Sequence, residues 1–244
     1  MRASVVLIAV VMGGILIPTA ARADIRVVRD SEITSALEVK VGAYSPSIDS
    51  DFSGDGPYEE YFGSRTPIHL ELEYDRQFWR GVGSFGAFVA IGYNGVKASA
   101  FDTDGSRSVD DTRMQMIPLR LGVVYRFDYL QEHWDVPLVL AAKLGVDYYA
   151  WFVKSEGGVA DFEDEAGDRT VGRGATTGYH AAFALHLLLD FLAPGMAQSF
   201  DNNVGVNNTY AFAELMVARI DDFGSADSWD LSETTALFGL AFEF

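Results

Sequence analysis

Apolar and polar residues alternate at period two along eight stretches of this chain, and the alternation predicts eight β-strands. At 36–43, Leu37, Val39, Val41 and Ala43 share one face, opposite Ala36, Glu38, Lys40 and Gly42. At 67–75, Ile68, Leu70, Leu72 and Tyr74 oppose His69, Glu71, Glu73 and Asp75. The stretch 83–93 sets Phe85, Ala87, Val89, Ile91 and Tyr93 against a face rich in small residues. Arg120 and Arg126 mark the polar face at 116–127, and Lys143 and Asp147 mark it at 137–153. At 176–191 a nearly continuous apolar stripe from Thr177 to Phe191 opposes His180, His186 and Asp190. At 208–218, Glu214 assigns its own face, with Tyr210, Phe212 and Met216, to the polar side. The last stretch, 235–244, places Ala236, Phe238, Leu240, Phe242 and Phe244 together. Thr235, Gly239, Ala241 and Glu243 oppose them, with Leu237 as the one large apolar residue on that face.

Three carboxylates on one strand face cannot point into lipid or into a dry core without partners. They suit a barrel interior that also holds Arg120, Arg126 and Lys143. The apolar faces are long enough for the ~9–11 residues with which a tilted strand crosses a bilayer. The expected fold is therefore all-β: a transmembrane eight-stranded antiparallel up-and-down β-barrel. An even strand number puts both chain ends on the periplasmic side. Loops at 44–65, 98–112, 154–175 and 219–232 are then extracellular, and shorter connections at 76–82 and 128–136 periplasmic. The longer 192–207 connection carries Pro194 ahead of a predicted short helix. Pro118 is awkward inside a strand, because it lacks a ladder donor.

The start of the chain reads as a signal peptide over 1–23: Arg2, an apolar run, then Ala21-Arg22-Ala23. A periplasmic lead over 24–35 and a barrel domain over 36–244 follow. There are no cysteines, so disulfides and Cys–zinc sites are excluded. The net charge of −17 argues against a nucleic-acid partner, which needs a positive footprint. Outer-membrane lipid is the expected surrounding, and the outer membrane of a Gram-negative bacterium the expected location.

Candidate chemistry is confined to the polar faces and the loops. Glu71, Glu73, Asp75, Arg120, Arg126, Lys143, Asp147, His180, His186, Asp190 and Glu214, with Glu38, Lys40 and His69, are expected to face inward as a charge network. An eight-stranded barrel is just wide enough for side chains to fill it. His180 and His186 stand about 20 Å apart along one strand face, too far for one metal ion. Nothing in the spacing of Ser84, His69 and Glu71 supports a nucleophile with its base. No catalytic, cofactor or metal residue is assigned, and no cofactor is expected. In the loops, Asp49, Asp51, Asp55, Asp161, Glu163, Asp164, Glu165 and Asp168 offer hard oxygen ligands to Ca²⁺ or Mg²⁺.

Several local stretches carry a family resemblance. They are Val41-Gly42-Ala43-Tyr44-Ser45-Pro46, Pro57-Tyr58 with Phe62-Gly63, Ile117-Pro118-Leu119, Tyr125-Arg126-Phe127-Asp128, Leu189-Asp190-Phe191-Leu192, and Gly205-Val206-Asn207-Asn208-Thr209-Tyr210. In that order they make the chain resemble uncharacterised outer-membrane β-barrel proteins found mainly in myxobacteria and related deltaproteobacterial lineages. The resemblance implies an outer-membrane barrel without assigned chemistry. By likeness to outer-membrane proteins in general, the terminal Phe244 implies recognition by barrel-assembly machinery. The expected role is structural or surface-interacting rather than enzymatic. The alternatives are a narrow ion or small-solute channel, and a periplasmic barrel that binds an apolar ligand.

Overall fold

A computed structural model describes residues 33–51, 56–63, 65–101, 107–155, 158–163, 169–225 and 228–244. The expected signal peptide and most of the expected lead lie outside the described residues. Eight long strands make the wall: β1 (Ser35–Ala43), β2 (Ile68–Gly81), β3 (Gly83–Phe101), β4 (Arg107–Phe127), β5 (Leu138–Ser155), β6 (Arg173–Leu188), β7 (Asn208–Ile220) and β8 (Glu233–Glu243). Every strand runs antiparallel to its neighbour in sequence, and β8 pairs with β1 to close the ring. Closure matters because an open edge would leave backbone donors and acceptors unpaired in hydrocarbon.

Register decides which side chains meet lipid. Val39 lies opposite Leu72 on β2 and Leu240 on β8, and all three face outward. One position earlier, Glu38 lies opposite Glu73 and is buried in the lumen. Repeated around the ring, this gives an exposed belt that includes Leu70, Val89, Ile91, Leu121, Leu144, Val146, Phe183, Leu185 and Phe238. A belt of that extent suits hydrocarbon and not water. Phe78, Trp79 and Trp134 lie exposed at the end where β1 begins and β8 finishes, and Tyr93, Tyr148 and Tyr179 lie exposed toward the other, as interfacial aromatics do. Among the described residues no helix is long and apolar enough to cross a membrane.

Strand ends differ most from expectation in three places, and short strands at Gly158–Val159, Asp161–Glu163 and Arg169–Val171 also occupy the expected 154–175 loop. β2 runs through the expected 76–82 connection and turns at Val82, with Gly83 at φ +92°. A Cβ on Gly83 would also collide with the Arg126 carbonyl oxygen, so glycine is required there twice over. β3 and β4 occupy much of the expected 98–112 loop. Val96, Ala98 and Met114 keep turning inward while Lys97 and Arg113 turn outward, so the ladder continues above the membrane. β6 stops at Leu188, and Asp190–Leu192 forms a 3₁₀ turn instead of strand.

Pro118 sits in the wall and faces the lumen. It pairs with Tyr149 on β5, whereas the β3–β4 pairing lapses between Ile91↔Leu119 and Asn94↔Met116. Gly92 faces the ring across that lapse, where a Cβ would lie 2.8 Å from the Pro118 Cγ. Among the described residues three α-helices lie in the connections between wall strands. α1 (Pro57–Phe62) belongs to the first extracellular loop, α2 (Tyr129–Trp134) to the β4–β5 turn and α3 (Pro194–Val204) to the β6–β7 connection. α3 is the helix expected after Pro194, and it ends on Gly205 in the left-handed conformation.

Candidate functional site

The barrel interior is a chain of buried charges. Near its extracellular end Arg120 is the node. Its Nε donates to Asp147 Oδ1 at 2.9 Å, its guanidinium also reaches Glu71 and Tyr149, and one terminal nitrogen lies 3.2 Å from Glu233 Oε1. Tyr149 donates to the same Glu233 oxygen at 2.9 Å. His180 Nδ1 stands 2.8 Å from Asp147 Oδ2, and His69 bridges Asn94 and Glu71 at 2.7 and 3.3 Å.

Two lysines occupy the middle. Lys40 Nζ approaches Glu73, Glu214 and Glu71 at 2.6, 3.1 and 3.2 Å. Lys143 Nζ approaches Glu73, Glu38 and Glu214 at 2.5, 2.6 and 3.0 Å. The like-charged pair that register forces together, Glu38 against Glu73, is thus bridged closely by Lys143, with Lys40 against Glu73 and 3.6 Å from Glu38.

Toward the periplasmic end Arg126 lies 3.2, 3.3 and 3.4 Å from Glu38, Asp75 and Glu243. His186 Nε2 lies 3.2 Å from Glu38. Glu243 accepts from Asn208 and from the Tyr210 hydroxyl, whose oxygen also lies 3.0 Å from the side-chain amide of Gln131 of α2. Gln131 is buried, so α2 reaches up from below and closes the lower mouth.

The upper mouth is closed by apolar side chains. Tyr44, Phe62, Val96, Met114, Met116, Ile220, Leu231 and Leu237 form one buried cluster above the charges. The first and last extracellular loops are stitched over it. Tyr44 donates to the Leu231 carbonyl at 3.2 Å, and Ser47 Oγ donates to the Ser232 carbonyl at 2.9 Å. Leu237, the apolar residue on an otherwise small or polar face, belongs to this cap.

Of the residues singled out by sequence, Glu71, Glu73, Asp75, Arg120, Arg126, Lys143, Asp147, His180, His186 and Glu214 all lie buried in this assembly. Asp190 does not join it. With β6 ended at Leu188, its half-buried carboxylate sits in the periplasmic turn and accepts from the Thr209 N–H at 3.2 Å. Burial, with a smaller push from Glu243, raises its pKa to about 6 against that bond. Glu233 and Glu243 belong to the network but fall at the ends of the last strand, where period two alone gives little warning. The alternation across β8 does place both on the Gly239 face.

Ser84 lies opposite Arg126, ten residues along β3 from Asn94, which partners His69. That is about 33 Å of strand, so Ser84, His69 and Glu71 form no catalytic group.

The expected cation sites in the loops fare differently. Asp49 spends both carboxylate oxygens on the backbone N–H groups of Tyr58 and Glu59, at 2.8 Å each, at the start of α1. Asp55, Asp164, Glu165 and Asp168 lie outside the described residues. The acidic group with ion-holding spacing among the described residues is Glu38, Glu73 and Asp75, buried in the lumen rather than in a loop. Lys143 and Arg126 already stand between its members.

No family model matches the chain, and no curated protein matches it. Among solved structures, it is similar to the attachment invasion locus protein Ail of Yersinia pestis, in complex with the heparin analogue sucrose octasulfate, at 13% identity and a TM-score of 0.41. That match covers 87% of this chain and 97% of Ail. A major outer membrane protein from Thermus thermophilus matches at 13% identity and a TM-score of 0.39, over 86% of this chain and 99% of that one. The N-terminal β-barrel domain of Pseudomonas aeruginosa OprF matches at 11% and 0.35, over 87% and 100%. At such identities and TM-scores the likeness carries no role over to this chain. The chain's own geometry, a closed even-stranded barrel with an apolar outer belt and a polar interior, is that of an outer-membrane barrel.

Proposed function

We propose that this protein is a structural, surface-displaying anchor of the outer membrane: a filled barrel that holds acidic loops outside the cell and conducts nothing. The observation that carries this reading is the double closure of the lumen. An apolar cap built on Tyr44, Phe62, Met116 and Leu237 covers one end, and Gln131 of α2 with Tyr210 covers the other. Between them the charged side chains are bonded to one another. The apolar-out, polar-in alternation also disfavours the apolar-ligand barrel, which needs the reverse. Loop acids outside the described residues remain candidate ligands for divalent cations in this proposal.

Planar-bilayer recording on the purified, refolded protein tests it. Silent bilayers are expected from wild type and also from Met116→Ala with Leu237→Ala, because the ion-paired lumen and α2 still close the barrel below the cap. Wild-type unitary conductance sensitive to Lys143→Met would overturn the anchor and favour the channel.

A further inference from the structure

The outer wall carries a second charge pattern, opposite in sign to the chain as a whole. On β3 the outward residues beyond Tyr93 are Gly95 and then Lys97; on β4, beyond Ile117, they are Gln115 and then Arg113. On β5 the first outward charge beyond the apolar face is Lys154, and on β6 it is Arg173. In each case it is a cation, in a chain with 35 acidic and 18 basic residues.

These cations adjoin one another. Register sets Lys97 directly opposite Arg113, and Arg113 directly opposite Lys154. Arg173 lies opposite Phe152, one outward step below Lys154. Arg65, in the loop leading into β2, lays its guanidinium on the Lys97 carbonyl. Lys97 and Arg113 are more than half exposed. Asp111 partly balances them, 2.6 Å from Lys97 and 3.9 Å from Arg113. Directly opposed like charges destabilise a sheet, and the single Asp111 carboxylate does not balance a row of three cations, so a further anion would stabilise it.

Height identifies the anion. Lys97 stands four residues beyond Tyr93, which is about 10 Å of rise on a strand tilted as barrel strands are. That carries it from the apolar edge into the headgroup layer, and its flexible stem can bend back along the wall. The guanidinium of Arg113 offers the paired donors that suit phosphate oxygens.

We propose that Arg65, Lys97, Arg113, Lys154 and Arg173 form a docking belt for the phosphate groups of lipid headgroups in the extracellular leaflet. The belt rests on the membrane orientation given above but not on whether the barrel conducts. It would hold an anionic leaflet against a protein whose net charge would otherwise repel it.

The test uses folded full-length protein in nanodiscs of phosphatidylcholine mixed with diphosphorylated lipid A, with retained lipid read by native mass spectrometry. Wild type is expected to retain lipid A several-fold above its bulk fraction. The triple variant Lys97→Gln, Arg113→Gln, Lys154→Gln is expected to fall to the bulk ratio. Arg76→Gln, on the outer wall near the periplasmic end, is expected to keep the enrichment. A second arm needs no variant: dephosphorylated lipid A should show no enrichment with wild type. Equal enrichment in wild type and the triple variant would overturn the belt, as would enrichment that survives removal of the phosphates or a wild type with no preference.

Discussion

Toward the extracellular mouth the lumen is filled by Tyr44, Met114, Met116, Ile220 and Leu237; in the middle of the barrel the same cross-section is filled by Lys40, Lys143, Glu38, Glu73 and Glu214. The upper half is stabilised by packing, which depends on volume and tolerates rearrangement of flexible methionines. The lower part depends on charge matching, and desolvating those ions costs several kcal/mol each before any attraction is recovered. What the ions supply is register. A one-residue slip of β2 would turn Glu71, Glu73 and Asp75 into the bilayer.

That contrast is sharpest at Lys143. Removing its ammonium leaves Glu38, Glu73 and Glu214 sharing Lys40 alone among the central cations. Lys143→Met is expected to destabilise the barrel by about 3–5 kcal/mol, the cost of stranding a buried charge. Urea unfolding in micelles, followed by tryptophan fluorescence, measures it. Adding Glu73→Met should recover a substantial part of that loss, because it removes a carboxylate that Lys143 had paired. Additive losses in the double variant would mean that the two side chains are not energetically coupled.

The apolar half should give less. Leu237 packs against Gly42, whose missing Cβ would lie 2.5 Å from its Cδ2. Leu237→Ala is expected to cost about 2–3 kcal/mol, the lower part of the range for buried leucines, because Met114, Met116 and Met216 can move into the space. A loss equal to that of Lys143→Met would erase the distinction between the two halves.

Much of this was legible because period two separates lumen from lipid on every strand. Glu38, His69 and Glu214 needed only their parity to be placed inside. Parity gives no height, however, so the sequence could not pair Arg120 with Asp147 or Lys40 with Glu214; those follow from register around the closed ring. Nor does it tell where a strand stops. Small residues such as Ala98 gave too weak a signal to carry β3 beyond the expected loop boundary. At the other extreme, the Leu187-Leu188-Leu189 run made β6 look longer than it is and drew Asp190 into the interior. The cap was hidden for a different reason: α1 lies in a loop dominated by turn formers, and Asp49, which caps it, looked like a cation ligand.

Asp190 offers the smallest and most specific test of the boundary between ionic lumen and periplasmic turn. Its folded pKa of about 6 lies above the ~3.9 of an unfolded aspartate. A raised acid pKa contributes stability fully below the unfolded value and loses it as pH rises through the folded one. The group therefore favours folding near pH 4 and ceases to do so above pH 6, when its half-buried carboxylate must carry charge near Glu243. Asparagine cannot titrate and still offers an oxygen to the Thr209 N–H. Asp190→Asn should match wild type near pH 4 and exceed it at pH 8 by under about 1 kcal/mol, since solvent screens a half-exposed site. Urea midpoints across that range decide it. A difference that is flat with pH would show that Asp190 does not titrate there, and a variant weaker at pH 8 would return its charge to a paired role.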